Sequence, residues 1–217
     1  MKISKKTLAV LKNFSGINQS IVITPGSKLQ TISNVKDVFG LATVEENFEQ
    51  KFAIYDLNEF LGVISLFEDP DFSFDASSVT VTEGNIEQRY FFADESVITQ
   101  PPEKGISLPS VEVTFNLTKE QLQSLVKAAA INNSTDLTFT NGNVKVHNKS
   151  VPNSNSFVIQ EVGTADVDYS LSIAVDKLKM VADDYIIDVC AKGLAHFKGT
   201  QGIEYFVALQ PDSKYGA

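Results

Sequence analysis

The sequence predicts an α+β fold of two similar domains, each with two helices packed on an antiparallel sheet. Three observations lead to this prediction. Short runs of alternating apolar and polar residues separate four amphipathic segments, a proline-rich stretch divides the chain near its middle, and both halves repeat the same order of patterns. The 217 residues, 43% of them apolar and 21% charged, are enough for two small cores.

A capped amphipathic helix opens the first half. Ser4 supplies a side-chain oxygen at the N-cap, Leu8, Leu11 and Phe14 recur at three-residue spacing, and Gly16 follows. These signals predict a helix over 4–15.

The remaining elements of the first half are strands and one more helix. The second helix is predicted over 56–67, where Asp56 precedes an apolar run. Pro25-Gly26 and Gly84-Asn85 mark turns. Apolar runs and alternation predict strands at 21–24, 29–32, 52–55, 72–74, 79–81 and 89–92.

A linker separates the halves. Residues 100–110 contain Pro101, Pro102, Gly105 and Pro109, a composition that neither continues a helix nor pairs as a central strand. We therefore predict a first domain at 1–100, a connector at 101–110 and a second domain at 111–217.

The second half repeats the plan. Thr118 caps a predicted helix over 118–131, and Asn141-Gly142 is the strongest hairpin signal in the chain, because this dipeptide readily takes the positive φ angles of a type I′ turn. A short fourth helix is predicted at 175–183. Strands are predicted at 137–139, 144–146, 169–173, 185–191, 194–198 and 205–209.

An internal duplication accounts for this symmetry. Ser4-Lys5-x-x-Leu8-x-x-Leu11 matches Thr118-Lys119-x-x-Leu122-x-x-Leu125 at an offset of 114 residues. The turns at 25 and 141 are offset by 116, and Asn58-Glu59-Phe60 and Asp176-Lys177-Leu178 by 118. A slowly drifting offset is typical of two copies of one domain that differ by small loop insertions.

The charge is unevenly distributed. The chain has 18 basic and 27 acidic residues, a net charge of −9, which argues against a surface that attracts nucleic acid everywhere. The four predicted helices, taken as 4–16, 56–67, 118–131 and 175–183, hold seven lysines and five acids, so they total +2 and the remainder −11. Arg89 is the only arginine, which disfavours sequence-specific reading of base edges, whereas lysine suffices for phosphate contact.

Lysines share helix faces in both halves. Lys5 and Lys12 are seven residues apart and Lys119 and Lys127 eight apart, so each pair lies on one side of its helix. A lysine-rich face that only confers solubility is the alternative for any single helix. Recurrence in both halves favours contact with a polyanion.

Catalytic and metal signatures are absent from the sequence. The single cysteine, Cys190, excludes an internal disulfide, and with only two histidines little is left for a zinc site. There is no phosphate-binding glycine loop or nucleophile elbow, and no cofactor is expected. Neither a membrane-spanning run nor a signal-peptide core occurs, so a soluble, cytoplasmic protein is expected.

The chain resembles a DNA polymerase sliding clamp, most closely the processivity factor of T-even-like bacteriophages. The resemblance rests on Met1-Lys2-Ile3-Ser4-Lys5, Leu11-Lys12-Asn13-Phe14, the most specific segment Ala53-Ile54-Tyr55-Asp56-Leu57-Asn58-Glu59-Phe60-Leu61-Gly62, and pieces of 191–209. It implies the DNA-clamp fold, a closed homotrimeric ring with twelve helices lining a central hole and sheets outside. It also implies sequence-independent encirclement of double-stranded DNA, with the polymerase, an ATP-dependent clamp loader and late-transcription factors as partners, in the cytoplasm of an infected bacterium.

The resemblance also implies which residues contact DNA, partner peptides and neighbouring subunits. The DNA-facing residues would be Lys5, Lys6, Lys12, Lys119, Lys127, Lys177 and Lys179. A pocket for partner peptides would be formed by Leu108, Val111, Ala208, Leu209 and Pro211, and edge strands at the subunit interface would carry Tyr90, Phe91, Phe92, Phe157 and Ile159.

Two alternatives remain open from the sequence. One is an acidic oligomeric structural or adaptor protein without DNA contact. The other is a hydrolase that uses Cys190 and His196, although a cysteine between Val189 and Ala191 in a predicted strand is typical of a core residue.

Overall fold

The computed structural model describes residues 1–163 and 167–216, and the chain divides into two compact units, Met1–Glu103 and Lys104–Ala217. Both units combine helix with antiparallel sheet, so the predicted α+β class is confirmed. Residues 98–112, which include the proline-rich stretch, form no helix or strand.

Unit 1 contains two α-helices and seven strands. The helices are α1 (Lys5–Ser15) and α2 (Leu57–Ile64), and a 3-10 turn covers Glu95–Val97. The strands are β1 (Ile21–Ile23), β2 (Gly26–Ile32), β3 (Val38–Phe48), β4 (Phe52–Ile54), β5 (Asp71–Phe74), β6 (Ser78–Glu83) and β7 (Ile86–Phe91).

The strands of unit 1 pair antiparallel throughout. β1 pairs with β4, β2 with β3, and β5, β6 and β7 form a meander in that order. The core beneath α1 and α2 includes Phe14, Leu29, Phe48, Phe60 and Phe72, each at most 2% exposed.

Within its described residues, unit 2 contains one α-helix, α3 (Lys119–Asn132), and nine strands. The strands are β8 (Val113–Leu117), β9 (Asp136–Thr140), β10 (Asn143–His147), β11 (Phe157–Ile159), β12 (Tyr169–Ala174), β13 (Tyr185–Cys190), β14 (Leu194–Gly199), β15 (Ile203–Ala208) and β16 (Lys214–Tyr215).

Unit 2 is built on two antiparallel arrays. One has the order β8-β13-β14-β15 and the other β11-β10-β9-β12-β16. The β9–β10 hairpin turns at Asn141 and Gly142, whose φ angles of 45° and 77° confirm the predicted turn, since positive φ at both residues defines type I′.

The prediction of a fourth helix at 175–183 is wrong. Only Val175–Lys177 is helical, as a single 3-10 turn. Backbone groups that would bond within a helix are bonded to distant side chains instead. The Val181 N–H donates to the Tyr205 hydroxyl (3.3 Å), and the Val181 carbonyl accepts from the Tyr185 hydroxyl (2.9 Å). The chain therefore has three α-helices within its described residues.

Three strands were not predicted, namely β3, β8 and the two-residue β16. β3 is the longest of the described strands. Its buried side chains alternate at Ala42, Val44, Glu46 and Phe48, and the charged Glu46 interrupts the apolar pattern that would have predicted a strand. β8 carries regular alternation at Val113, Phe115 and Leu117 and follows directly on the irregular connector.

Candidate nucleic-acid interface

Helix α1 presents one apolar and one basic face. Thr7, Val10, Leu11 and Phe14 are buried, whereas Lys5, Lys6 and Lys12 are exposed. Lys5 lies two residues before Thr7, and Lys12 two residues after Val10, so both project about 160 to 200° away from the buried stripe. The structure thus brings Lys5 and Lys12 onto one open face, with Lys6 at its side.

A buried carboxylate anchors the first turn of α1. Glu46 on β3 accepts a hydrogen bond from the Ser4 backbone N–H (2.5 Å) and another from the Thr7 hydroxyl, while the Ser4 side chain accepts from the Thr7 N–H. Burial by itself would raise the pKa of Glu46, but the bonds from Ser4 and Thr7 outweigh it and hold the pKa below its usual range. The orientation of the basic face is therefore coupled to β3.

We expect Glu46→Gln to destabilise unit 1 by about 1–3 kcal/mol, because an amide replaces one charged acceptor with a donor that faces other donors. The pKa of Glu46 is lowered in the folded state, so its contribution is present above the ordinary value of 4.5 and is lost as pH falls further. Urea unfolding at pH 7 and pH 3.5 measures this difference.

Glu45→Gln is the matched control, since Glu45 is the exposed neighbour of buried Glu46 on the same strand. We expect the free energy of unfolding to change by less than about 0.5 kcal/mol. Equal effects of the two substitutions would contradict the anchoring role of Glu46.

Helix α2 lies beside α1 and carries no lysine. Asp56 caps it by accepting from the N–H groups of Asn58 (2.9 Å) and Glu59 (3.0 Å). Asn58 in turn accepts from the Lys12 ammonium (3.2 Å). Asn58 was not among the predicted site residues, although it lies in the most family-specific segment.

Helix α3 repeats the basic face in unit 2. Thr118 and Gln121 form a capping box, and the Asp184 carboxylate accepts from the Lys119 N–H (2.7 Å). Leu122, Leu125 and Ala129 are buried, and both Lys119 and Lys127 are exposed. Lys127 lies two residues after Leu125 and two before Ala129, so it points away from the core.

The last two predicted lysines do not lie on an α-helix. Lys177 is the half-buried final residue of the 3-10 turn, and Lys179 is exposed on the irregular segment that follows. The structure therefore groups Lys119 with Lys127 on one helix but not Lys177 with Lys179.

Positive charge is concentrated on the helices that form. The three α-helices hold five lysines and two glutamates, a net charge of +3, so the rest of the chain carries −12. Such a partition attracts a polyanion to the helix faces and repels it elsewhere.

The strands predicted to meet other subunits are sheet edges. β7 pairs with β6 alone and β11 with β10 alone in the part of the chain that the structure describes. Phe91 is 67% and Val158 44% exposed, and Phe157 is also exposed. Tyr90 packs instead on Phe60 of α2, with ring centroids 5.2 Å apart.

The other residues of this predicted interface are more enclosed. Ile159 is half-buried, and Phe92, just beyond β7, stacks on Phe52 at a centroid distance of 5.0 Å. Exposed apolar side chains on an unpaired edge are a template for pairing with another chain.

The residues predicted to form a peptide pocket flank two strands that are not neighbours, the start of β8 and the end of β15. Val111 is exposed just before β8, and Ala208 ends β15, with β13 and β14 between them. Three strand spacings amount to about 14 Å. Leu209 is buried, while Leu108 is half-buried and Pro211 exposed. A peptide touching both groups would have to be extended.

Cys190 and His196 are not arranged as nucleophile and base. Cys190 is fully buried with its sulfur 3.3 Å from the Ser110 hydroxyl oxygen, whereas the His196 Nε2 lies 2.6 Å from Glu204 and its ring stacks on Phe206. Across residues 1–163 and 167–216 no three metal-ligating side chains converge, and no helix is long and apolar enough to cross a membrane.

Comparison with known proteins gives consistent matches. The family model described as DNA polymerase processivity factor matches residues 2–98. The sliding clamp of Vibrio phage KVP40 is 32% identical over 97% of this chain and 99% of its own length. The sliding clamp of Escherichia phage RB69 is 28% identical, with 99% of each chain covered.

A solved structure shows the same fold at low identity. The proliferating cell nuclear antigen of A. fulgidus, solved with the C-terminal region of FEN-1 bound, superposes with a TM-score of 0.70 over 95% of this chain and 96% of that one, at 15% identity. The two-domain α+β arrangement therefore matches the DNA-clamp fold.

Proposed function

The chain belongs to the sliding-clamp family of bacteriophage DNA polymerase processivity factors, and from this premise we propose that it closes into a homotrimeric ring around duplex DNA. The ring would tether the replicative polymerase for processive synthesis. The division proposed within each chain is 1–100 and 111–217, joined by the connector 101–110.

The observation that carries the proposal is the placement of the lysines. Lys5 and Lys12 on α1 and Lys127 on α3 are exposed on helix faces opposite the buried stripes, and Lys119 is exposed in the first turn of α3, while the rest of the chain is strongly acidic. Lysine contacts phosphate without reading bases, which suits a protein that moves along any sequence. Such a trimer would present nine α-helices and three 3-10 turns to the DNA, rather than the twelve helices expected from the sequence.

Ring closure would use the two edge strands. β7 of one subunit and β11 of the next are both unpaired on one side within the described residues, and both expose aromatic or β-branched side chains. Pairing them head to tail joins different surfaces, and such an interface closes a ring when the rotation is suitable.

Partners would bind outside the hole. The FEN-1 peptide on the A. fulgidus protein supports recognition of short segments, and we propose that partner peptides lie between Leu108–Val111 and Ala208–Pro211 in an extended form that spans about 14 Å. The polymerase, an ATP-dependent clamp loader and late-transcription factors are the proposed partners, in the cytoplasm of the infected host.

Two measurements test the ring. Sedimentation equilibrium should give three times the chain mass. After loading by the cognate ATPase, the protein should stay on nicked circular DNA through gel filtration and be lost when the circle is cut. Retention that is indifferent to cutting would contradict encirclement, and an oligomer that never associates with DNA would support the structural or adaptor alternative.

A further inference from the structure

Asn58 faces the ammonium group of Lys12 across the seam between α1 and α2. Resting on the function proposed above, we propose that Asn58 is a positioning residue that holds Lys12 over this seam, so that one lysine serves both helices as a phosphate contact.

The geometry identifies the acceptor. The Lys12 Nζ lies 3.2 Å from the Asn58 Oδ1. Because an ammonium only donates, the amide oxygen rather than the nitrogen must face it. The Ser15 hydroxyl closes the cluster, with its oxygen 3.1 Å from the same Asn58 Oδ1 and 2.8 Å from the Lys12 carbonyl oxygen.

Asn58 is itself well held. Its backbone N–H donates to the Asp56 Oδ1 (2.9 Å) in the first turn of α2, which fixes the backbone from which the amide projects. Ordering a free lysine side chain costs up to about 2 kcal/mol of rotamer entropy. Because the bond to Asn58 already restricts the Lys12 side chain, phosphate binding has less of this entropy to overcome.

A neutral acceptor suits this task better than a charged one. An ammonium has three N–H groups, and a single bond to an amide oxygen leaves two for phosphate. A carboxylate at this position would neutralise Lys12 and repel the DNA backbone. Helix α2 has no lysine and carries Glu59, so any positive charge at the α1–α2 seam comes from residues outside α2, and at Asn58 it comes from Lys12.

Unit 2 provides an internal contrast. Lys127 also points away from its buried stripe, but it borders a groove of about 360 Å³ whose opposite wall is Leu178, Met180 and Ala182. That wall offers no side-chain acceptor. Lys127 therefore serves as the matched lysine, because the groove wall that faces it within the described residues carries no amide or carboxylate acceptor.

A double-mutant cycle tests the proposal. The wild-type protein and the Lys12→Ala, Asn58→Ala and double variants are titrated with a 24-base-pair fluorescent duplex at several KCl concentrations. We expect Asn58→Ala to weaken binding about three- to tenfold in the wild-type background and to have no effect in the Lys12→Ala background. In Lys127→Ala it should retain its full effect.

Asn58→Asp separates positioning from a purely structural role. An acid in the first turn of α2 favours the helix dipole, so thermal stability should be unchanged or higher, yet binding should fall at least tenfold and the salt slope should shrink by about one contact. Asn58→Asp in the Lys12→Ala background measures repulsion by the new carboxylate alone, so a positioning role predicts a larger loss of affinity when Lys12 is present.

The outcomes are distinct. If Asn58→Ala weakens DNA binding equally with and without Lys12, or if Asn58→Asp binds as tightly as wild type, the positioning role is overturned while the ring proposal stands. If the wild-type protein is not retained on nicked circular DNA after loading, both proposals fail together.

Discussion

A variant that combines Lys5→Glu, Lys12→Glu, Lys119→Glu and Lys127→Glu is expected to lose retention of the protein on nicked circular DNA while its fold and trimer persist. All four side chains are exposed; Lys5, Lys12 and Lys127 point away from the buried faces of α1 and α3, and Lys119 lies in the first turn of α3, so their reversal leaves the buried residues in place. Each lost phosphate contact lowers the salt slope by about 0.9, and four contacts amount to about a thousandfold in affinity, more once repulsion by the new glutamates is included.

The control reverses four exposed lysines outside the helices, Lys28, Lys104, Lys192 and Lys214, which changes the net charge by the same amount. We expect this control to keep most of the wild-type retention. Affinity from salt titrations and residence from gel filtration of loaded circles measure both variants. Equal losses in the two variants would mean that net charge, and not the helix faces, determines DNA contact.

Combining Phe91→Asp with Val158→Asp is expected to convert the trimer into monomers and to eliminate processive synthesis. Phe91 lies at the end of edge strand β7 and Val158 in the middle of edge strand β11. Burying a Phe or Val side chain contributes about 1.5–3 kcal/mol, and a buried unpaired carboxylate adds a further cost at each of the three interfaces. The dissociation constant should rise at least about a hundredfold.

The fold of the monomer should tolerate this change, because both side chains already face solvent in the isolated chain. Val35→Asp is the matched control, since Val35 is 78% exposed on the turn between β2 and β3. Sedimentation velocity across a concentration series compares the three proteins. A double variant that remains trimeric at low concentration would place the interface elsewhere.

Local sequence signals predicted secondary structure correctly wherever a side chain within a few residues bonds the free backbone groups of a helix end or favours the φ angles of a turn. Ser4 and Thr118 cap the helices they were predicted to cap, and Asn141-Gly142 forms its turn, because each device completes within four residues. The prediction failed at 175–183, where the hydroxyls of Tyr185 and Tyr205 take the backbone groups of Val181. The sequence of 175–183 contains no pattern from which its packing against β15 could be predicted.

The same division applies to the candidate site. The spacing of Lys5 and Lys12 alone indicates a shared face, and the structure places both on it. The bond between Lys12 and Asn58 joins residues 46 positions apart, and the Glu46 carboxylate that anchors α1 is 42 positions from Ser4. Their roles depend on how α1 packs against α2 and β3.

Sequence patterns were therefore enough to predict the α+β class, the helix caps and the shared face of Lys5 and Lys12, because periodicity and capping act over one or two helical turns. The packing of distant segments makes β7 and β11 sheet edges, replaces the fourth helix by a 3-10 turn, and brings Lys12 beside α2. These features depend on which distant backbone and side-chain groups become neighbours, and hydrogen bonds to those neighbours outweigh local propensity.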